Sequence, residues 1–303
     1  MANTEYEIIR HDHHYHLFLV NLLYRTPHFH KDYEINLILD GKPEIVCPNE
    51  SHQLCSGDIF IVNPFRIHEI LSHTPCLILS LQISAALFAA YFPQIDSIEF
   101  DSLLLEKGQI HDDVRKLLIT LAKTYYGQPT HGTIMANIYI NQIFLLFLEH
   151  HPYHILNARE LSVSRAKGAR MRGIMQYIDE HFQEKLLLSD IAEREGLNLY
   201  YLSHFFKDTF GISFQNYLTK IRCEHARQLL LLSDYSLLDI SIACGFSDPK
   251  YFNRRFLEQY GVSPKEYRKN FAVAQLKQQQ QSLLTTQEFL SDRAALVTLG
   301  QYE

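Results

Sequence analysis

The stretch Ser236–Tyr260, SLLDISIACGFSDPKYFNRRFLEQY, carries the start and stop signals of two short helices in succession. Its first serine with Asp239 three positions later is typical of a capped helix start, and Gly245 favours the left-handed conformation that ends a helix. Asp248, followed by proline, opens the second helix. This pattern predicts a helix-turn-helix, although an ordinary surface helical hairpin carries the same signals.

A second copy of the plan supports the helix-turn-helix interpretation. Ser189–Phe210, SDIAEREGLNLYYLSHFFKDTF, again has a short capped helix, a glycine at the turn (Gly196) and a second helix that opens at Asn198. Between the copies, Phe214–Leu232 has the apolar spacing of one long helix. Two units joined by a rigid helix would present their second helices to successive major-groove segments, about 34 Å apart.

These motifs resemble the AraC/XylS family of transcription regulators over about residues 168 to 270. The match is carried by IRCEHARQLL (221–230) and DISIACGFSDPKYFNRRFLEQYGVSPKEYR (239–268). The resemblance implies that residues on the exposed face of each second helix contact promoter DNA, with surface packing as the alternative for Tyr200 and His204. The predicted DNA-binding residues are Asn198, Tyr200, Ser203 and His204 in the first unit, and Lys250, Asn253 and Arg254 in the second.

The charge of the chain is divided unevenly between its parts. The formal net charge is −6 over 303 residues, but residues 1–164 carry −8 and residues 165–271 carry +3. A modest basic excess where the helix-turn-helix units lie is typical of a DNA-binding region that depends on a precise fit as well as phosphate attraction. The length predicts two domains, each with its own core.

Cysteine usage and hydropathy indicate a cytoplasmic protein. The five cysteines form no CxxC pair, which makes a disulfide framework or a zinc finger improbable. No stretch approaches the roughly 18 uninterrupted apolar residues of a membrane span, and the first ten residues lack a signal-peptide pattern. The tract His11, His13, His14 and His16 has irregular spacing, so we interpret it as part of an arm rather than a metal site.

A second constellation begins at His28 with the sequence HFHKDYEIN. On an unbroken strand, His28, His30, Glu34 and Asn36 would project from one face, with apolar residues on the other. A later turn and strand end at His68. Short strands with Gly, Pro and Asn punctuation continue to about residue 83, which favours a small antiparallel barrel or sandwich.

This half of the chain resembles the cupin barrel, in which HxHxxxE and a later histidine meet in the interior. The corresponding residues are His28, His30, Glu34 and His68, which would form a complete divalent-metal site. The favoured interpretation is instead a pocket without a cofactor, in which these residues and Asn36 bind a small molecule. A purely structural role is the third alternative. By resemblance the effector is a sugar, recognised with help from Tyr33 and Phe65.

Two helices follow the predicted barrel, at residues 111–126 and 133–150. The second is apolar nearly all round, which predicts a homodimer contact or, alternatively, a core helix buried between the two halves. Residues 150–164 lose the helical periodicity and are predicted to contain the interdomain linker. Beyond residue 271, Phe289, Leu290, Ala294 and Leu296 would allow a further short helix to dock.

The sequence therefore predicts a two-domain α+β protein. We assign residues 1–155 to a cupin-like ligand-sensing and dimerisation domain, 156–167 to a linker, 168–271 to an all-α DNA-binding domain and 272–303 to an extension. The predicted function is a non-enzymatic, ligand-responsive activator of carbohydrate utilisation genes that works with RNA polymerase. The alternative is a metal-dependent cupin enzyme or metal sensor fused to a nucleic-acid-binding module.

Overall fold

The structure is a computed structural model that describes residues 14–48, 50–269 and 287–302. Its N-terminal part combines an antiparallel sheet with helices, and its C-terminal part is helical, as the sequence predicts. His11 and His13 of the histidine tract, most of the predicted N-terminal arm and the glutamine-rich residues 275–281 lie outside the described residues.

The central sheet is a seven-stranded antiparallel half-barrel. Its longest strand, β6, pairs with β1, β2 and β3, while β5 extends the sheet beyond β2. A two-stranded sheet of β7 and β8 lies apart from it. The strands are β1 (Tyr15–His28), β2 (Tyr33–Asp40), β3 (Glu44–Cys47), β4 (Glu50–Gln53), β5 (Ile59–Val62), β6 (His68–Ile83), β7 (Ile98–Phe100), β8 (Tyr153–Ile155) and β9 (Gln287–Phe289).

Alternation along the strands divides the sheet into two buried faces. On β2, Tyr33, Ile35 and Leu37 belong to a core shared with the helices that follow the sheet. The intervening residues include Ile38, which belongs to a second apolar cluster with side chains of β3, β5 and β6. Glu34 lies on this second face, so a polar group enters an otherwise apolar interior.

Helices α1 (Gln109–Gly127) and α2 (Gly132–His150) pack against the sheet. The sequence suggests that α2 is apolar all round, but the structure buries only one side of it. Ile134, Ile138 and Leu145 remain at least half exposed. By length and composition α2 could cross a membrane, a property that core helices share. The side chains of α2 that enter the core are Ala136, Ile140, Ile143, Phe144 and Phe147.

The C-terminal part contains two helix pairs on either side of one long helix, in the order that the sequence predicts. Asn198, Ser236 and Asp248 each cap the following helix by accepting hydrogen bonds from its first free amides. The helices are α3 (Ala158–His181), α4 (Leu188–Arg194), α5 (Leu199–Phe210), α6 (Phe214–Leu232), α7 (Leu237–Ala243) and α8 (Pro249–Tyr260), followed by helical residues at 264–269.

Residues 158–167, which we expected to link the domains, form the first turns of α3. The reason is a capping box: the Asn157 side chain accepts from the amide of Glu160, and the Glu160 carboxylate accepts from the amide of Asn157. The connection to the DNA-binding part is therefore a continuous helix rather than an irregular segment.

The two parts of the chain pack against each other. Phe29 and Ile67, from the sheet domain, are buried in the same cluster as the side chains of α3, α5 and α6. Lys220 of α6 forms an ion pair with Glu69, which also accepts a hydrogen bond from Tyr24. This apolar contact, together with the ion pair, holds the helical part against the sheet domain.

The C-terminal extension returns to the sheet domain. Strand β9 pairs with Val20–Leu22 on the edge of β1, and helix α9 (Asp292–Leu299) packs against α1. Ala295 and Leu299 are fully buried in the main core. The sequence predicts a short docking helix here, but it names the wrong residues for the contact. Phe289, Ala294 and Leu296 are exposed, because the buried side of the helix is the one that carries Ala295 and Leu299.

Candidate functional site

The predicted pocket residues do not share one unbroken strand, so that part of the sequence interpretation is wrong. Strand β1 ends at His28 and β2 begins at Tyr33, with His30 in the connection between them. Only Glu34 and Asn36 project from the same face of β2. The bend at residues 31 and 32 cannot be read from strand periodicity, because periodicity carries no information on where a strand ends.

The side chains of His28, His30, Glu34 and His68 nevertheless converge, because strand pairing brings His68 close to Glu34. Val62 pairs directly with Glu34 across β5 and β2, and the short loop after Val62 returns the chain to His68. The rings of His28 and His68 have centroids 4.1 Å apart, and those of His30 and His68 5.3 Å apart. All of these side chains are at least 95% buried.

Backbone carbonyl groups fix the orientation of the imidazoles. His30 Nδ1 lies 2.7 Å from the carbonyl oxygen of Asp32, and His68 Nδ1 lies 3.1 Å from that of Arg66. A nitrogen that faces a carbonyl oxygen must carry the proton, so the Nε2 atoms of both rings point into the cluster. His28 differs, because its Nε2 accepts a hydrogen bond of 2.7 Å from Arg25.

The Glu34 carboxylate is held by amide side chains on its own strand and on β6. Asn36 Nδ2 donates to Oε1 at 2.9 Å, and Gln82 Nε2 donates to Oε2 at 2.8 Å. Ser80 in turn donates to the Asn36 side chain. These polar groups are therefore bonded to one another, which leaves little capacity for the hydroxyl groups of a ligand at this position.

Burial and neighbouring charge set the protonation states. Burial lowers the pKa of His68 to about 4, and burial together with the Arg25 guanidinium holds the pKa of His28 well below its ordinary value. Burial also opposes charge on His30 and Glu34, but their mutual attraction outweighs it. The pKa of His30 is raised and that of Glu34 is lowered, in line with the 2.7 Å contact between His30 Nε2 and Glu34 Oε2.

Tyr33, predicted to help recognise a sugar, does not face this cluster. Its hydroxyl donates to the backbone carbonyl oxygens of Ile95 and Ile98, on the side of the sheet that packs against the helices. Burial raises the pKa of this hydroxyl well above its ordinary value. Tyr33 is a core residue, because its position in β2 has the opposite parity to Glu34.

A cavity of about 390 Å³ lies beside the cluster, at the junction of the sheet domain and α3. Phe65, the second aromatic predicted to contact a ligand, lines it together with Lys31 and Asn63. Arg165 of α3 closes the other side and forms an ion pair with Asp96. A molecule in this cavity would touch both domains.

The predicted DNA-binding side chains lie where a groove could reach them. Tyr200 is 74% exposed, and its ring lies against that of His204. The Arg254 guanidinium stacks 5.3 Å from the Tyr251 ring centroid and remains exposed. The Asn198 side chain accepts hydrogen bonds from the amides of Tyr200 and Tyr201 and so caps α5. All members of the predicted set are exposed: Asn198, Tyr200, Ser203, His204, Lys250, Asn253 and Arg254.

The sequence interpretation missed Arg25 and Glu69, which the structure places between the cluster and the helical part. Arg25 donates to His28, and Glu69 pairs with Lys220 of α6. Lys220 follows Glu69 by 151 positions in the chain. No sequence motif joins residues so far apart, and a charged residue on a strand edge is common without any such role.

The fold and these surfaces define a helix-turn-helix protein with a ligand-binding domain. A family model described as a helix-turn-helix domain matches residues 191–270. A second one, described as an AraC-like ligand binding domain, matches residues 9–131. The chain therefore belongs to the AraC family of helix-turn-helix transcriptional regulators.

Relatives of known sequence are consistent with this assignment. An uncharacterised HTH-type transcriptional regulator of Staphylococcus aureus is 25% identical over 268 residues, which cover 88% of this chain and 35% of the relative. The uncharacterised regulator YijO of Escherichia coli is 36% identical over 121 residues, 40% of this chain and 42% of the relative. The chain thus spans less than half the length of these curated relatives.

Solved structures show local similarity. ToxT of Vibrio cholerae is 15% identical and aligns over 84% of this chain and 97% of its own, with a TM-score of 0.47. The C-terminal domain of AraT, a response regulator from Geobacillus stearothermophilus, is 38% identical over 33% of this chain and 84% of its own, with a TM-score of 0.32.

Proposed function

We propose that the protein is a cytoplasmic, ligand-responsive transcription regulator that binds promoter DNA through two helix-turn-helix units. The observation that carries this proposal is the repeated helix pair, α4–α5 and α7–α8, with polar side chains exposed along the second helix of each. An exposed second helix that starts at a side-chain cap is the geometry that enters a major groove. Helix α6 between the pairs supplies a rigid spacer.

The effector site of this proposal is the junction cavity rather than the histidine cluster. A monosaccharide fits a volume of about 390 Å³, and Lys31, Asn63, Glu99 and Arg165 supply donors and acceptors for its hydroxyl groups. The proposed effector is a sugar. Its binding leads the protein to activate carbohydrate utilisation genes through contact with RNA polymerase. Since the cavity joins both domains, a ligand there shifts the equilibrium between their arrangements.

A homodimer through α2 completes the proposed assembly. Ile134, Ile138 and Leu145 lie on one side of this helix and are each at least half exposed. An apolar stripe of this kind gains free energy when a second copy covers it. Ile138→Glu is expected to convert dimers to monomers in light scattering, whereas Thr120→Glu on the exposed side of α1 leaves the dimer intact. Equal masses for the two variants would exclude α2 as the dimer contact.

The histidine cluster is closed to organic molecules, which favours a regulator over a cupin enzyme. His30, Glu34 and His68 are at most 5% exposed, and their donor atoms lie within 4.8 Å of one another. Such spacing leaves no room for an organic substrate between them. A site closed in this way suits an ion or a proton better than catalysis on a metabolite.

Selection from a random-sequence DNA library tests the proposed function directly. The full chain is expected to enrich a site with two conserved segments about one helical turn apart, one for each helix pair. Its affinity for that site should then change on addition of the sugar that stabilises the protein in a thermal-shift panel. Recovery of sequences no tighter than random DNA would contradict sequence-specific binding.

A further inference from the structure

Helices α5 and α8 occupy equivalent places in the two helix pairs, and their residues correspond at a constant offset. The cap of α8, Asp248, stands 50 positions after the cap of α5, Asn198. Each helix buries the same two positions completely and ends at a left-handed glycine. These equivalent residues are Leu202 with Phe252, Phe206 with Phe256, and Gly211 with Gly261. Since the buried positions match, the outward-facing positions of the two helices match as well.

The outward-facing residues of the two helices differ in charge. Three cationic side chains of α8 are replaced on α5 by two aromatic rings and an imidazole. The pairs are Lys250 with Tyr200, Arg254 with His204, and Arg255 with Phe205. Over Leu199–Phe206 the sequence LYYLSHFF contains no lysine, arginine, aspartate or glutamate. Leu199 and Tyr200 are nevertheless 49% and 74% exposed, so α5 presents an uncharged and partly apolar surface.

This composition limits the bases that α5 can recognise in a major groove. Guanine is typically read by the paired donors of arginine or lysine, and cytosine by a carboxylate, neither of which α5 offers in its first two turns. The two nitrogens of the His204 imidazole point in divergent directions, so the ring cannot donate both of the bonds that guanine O6 and N7 accept. Thymine presents an apolar group, its C5 methyl. The exposed Tyr200 ring suits contact with that methyl group.

Neighbouring side chains hold the aromatic surface of α5 in place. The ring centroids of Tyr200 and His204, one helical turn apart, are separated by 4.4 Å. Arg170 of α3 donates to the Tyr201 hydroxyl at 3.0 Å, and its guanidinium lies 5.7 Å from the centroid of the Phe205 ring. A cation therefore borders the aromatic surface. This arrangement suits DNA, because a phosphate lies at the rim of the groove and the bases lie within it.

We propose that α5 reads thymine methyl groups through Tyr200, whereas α8 reads guanine through Arg254. This inference rests on the proposed DNA binding and deepens it, because it names the bases in each part of the site. The segment under α5 is rich in A·T pairs, and the segment under α8 contains the guanine. The two segments bound by one protomer therefore differ in base composition, although the helices that bind them are repeats.

A uracil scan of the selected DNA site tests the proposal. Uracil lacks only the C5 methyl group of thymine, so replacing one thymine at a time removes a single apolar contact. We expect at least one position at which uracil weakens wild-type binding about 4-fold, the effect of exposing one buried methyl group. Tyr200→Ala should bind the thymine and uracil forms equally there, because the contact is already lost. This position should lie about one helical turn from the base pair that depends on Arg254.

Three controls separate a lost methyl contact from general damage to the protein. Tyr91→Ala removes a tyrosine that is 61% exposed on the sheet domain and should keep the full response to uracil. Replacing the guanine under α8 by 7-deazaguanine, which lacks N7, should weaken the wild type and Tyr200→Ala alike, which shows that the variant is folded. His204→Arg places on α5 the residue found at the equivalent position of α8, and a repeated selection should then enrich guanine in the α5 segment.

Two results would overturn the proposal. One is wild-type binding that uracil leaves unchanged at every thymine, the result expected if the aromatic surface packs on another protein. The other is a response to uracil that Tyr200→Ala retains in full. In both cases a site enriched by the wild type still supports sequence-specific DNA binding, so this proposal fails alone. A selection that enriches no site contradicts both proposals.

Discussion

Arg254 is the residue whose replacement tests DNA recognition most sharply. Its guanidinium is exposed on α8, stacked on Tyr251 and only 3.9 Å from Glu258, so it is held near the helix surface. An arginine in a major groove typically contacts one guanine with two hydrogen bonds, worth about 1 to 3 kcal/mol of discrimination. We expect Arg254→Ala to weaken binding to the selected site about 5- to 150-fold and to relax preference at one base pair.

The matched control for Arg254 is Arg293→Ala, which removes the same charge from an exposed position on α9, in the sheet domain. It should leave base preference unchanged in fluorescence anisotropy with single-base variants of the site. If Arg254→Ala binds every variant in the same order as the wild type, Arg254 does not read a base.

The buried carboxyl group of Glu224 should make the free energy of unfolding depend on pH. Burial alone would raise the pKa of this carboxyl, but Arg227, 2.7 Å away, and the Tyr260 hydroxyl lower it below its ordinary value near 4.5. Because the pKa is lower in the folded state, the stabilisation is present above about pH 4.5 and is lost as pH falls through the folded pKa. Glu224→Gln should cost about 3 to 5 kcal/mol at pH 7, since it leaves the Arg227 guanidinium without its carboxylate.

Urea unfolding of wild type and Glu224→Gln between pH 7 and pH 3.5 measures this effect. The difference between the two unfolding free energies should be constant at neutral pH and shrink as the solution becomes acidic. A difference that stays constant down to pH 3.5 would mean that Glu224 does not titrate with a lowered pKa.

At the scale of elements, helix α9 is expected to be part of the sheet domain. Leu299 is fully buried against the core that α1 and the sheet share, while Val297, on the same helix, is 68% exposed. Leu299→Ala should therefore cost about 2 to 5 kcal/mol of unfolding free energy. Val297→Ala, the matched control, should change it by less than about 0.5 kcal/mol. Equal melting temperatures for the two variants would show that α9 is not docked in solution.

For the whole molecule, alanine substitution at two equivalent glycines tests whether the two domains are docked or separate. Gly211 ends α5 and Gly261 ends α8, both in the left-handed conformation with φ of 69° and 72°. A Cβ at Gly211 would lie 2.8 Å from the carbonyl oxygen of Pro48 in the sheet domain, whereas a Cβ at Gly261 meets nothing. Each alanine variant incurs about 1 kcal/mol of backbone strain. Only Gly211→Ala also disturbs the contact between the domains.

We expect Gly211→Ala to raise cleavage between the domains in limited proteolysis and to change DNA affinity, while Gly261→Ala affects stability alone. The direction follows from the docked arrangement: if contact with the sheet domain restrains the DNA-binding helices, loosening it tightens DNA binding. Identical proteolysis of the two variants would mean that the domains do not dock through Pro48.

The arrangement of the domains also determines how an effector could act. Ion pairs join them at Lys220–Glu69 and Arg165–Asp96, in line with the opposite net charges of the two regions. A ligand that favours release by 1 to 3 kcal/mol would change promoter occupancy about 5- to 150-fold. By linkage, DNA must then tighten effector binding by the same factor, which a titration with and without operator measures.

The sequence by itself determined the helical half of the protein, because its signals are local. The caps at Asn198, Ser236 and Asp248 act within three residues of the atoms they bond, and the structure confirms each of them. The same locality explains why the repeated helix pairs were recognisable: each copy carries its own glycine turn and buried aromatic residues.

Tertiary structure alone decided the geometry of the candidate site. His30 and Glu34 are near each other in sequence, but His68 reaches them only because β5 pairs with β2 and the chain then turns back. His28 also lies in the cluster, but its Nε2 accepts a hydrogen bond from Arg25, which no strand pattern predicts. Tyr33 lies in the opposite core, because its position on β2 has the other parity. Contacts such as Lys220 with Glu69 depend on packing between distant segments, which no local pattern of residues specifies.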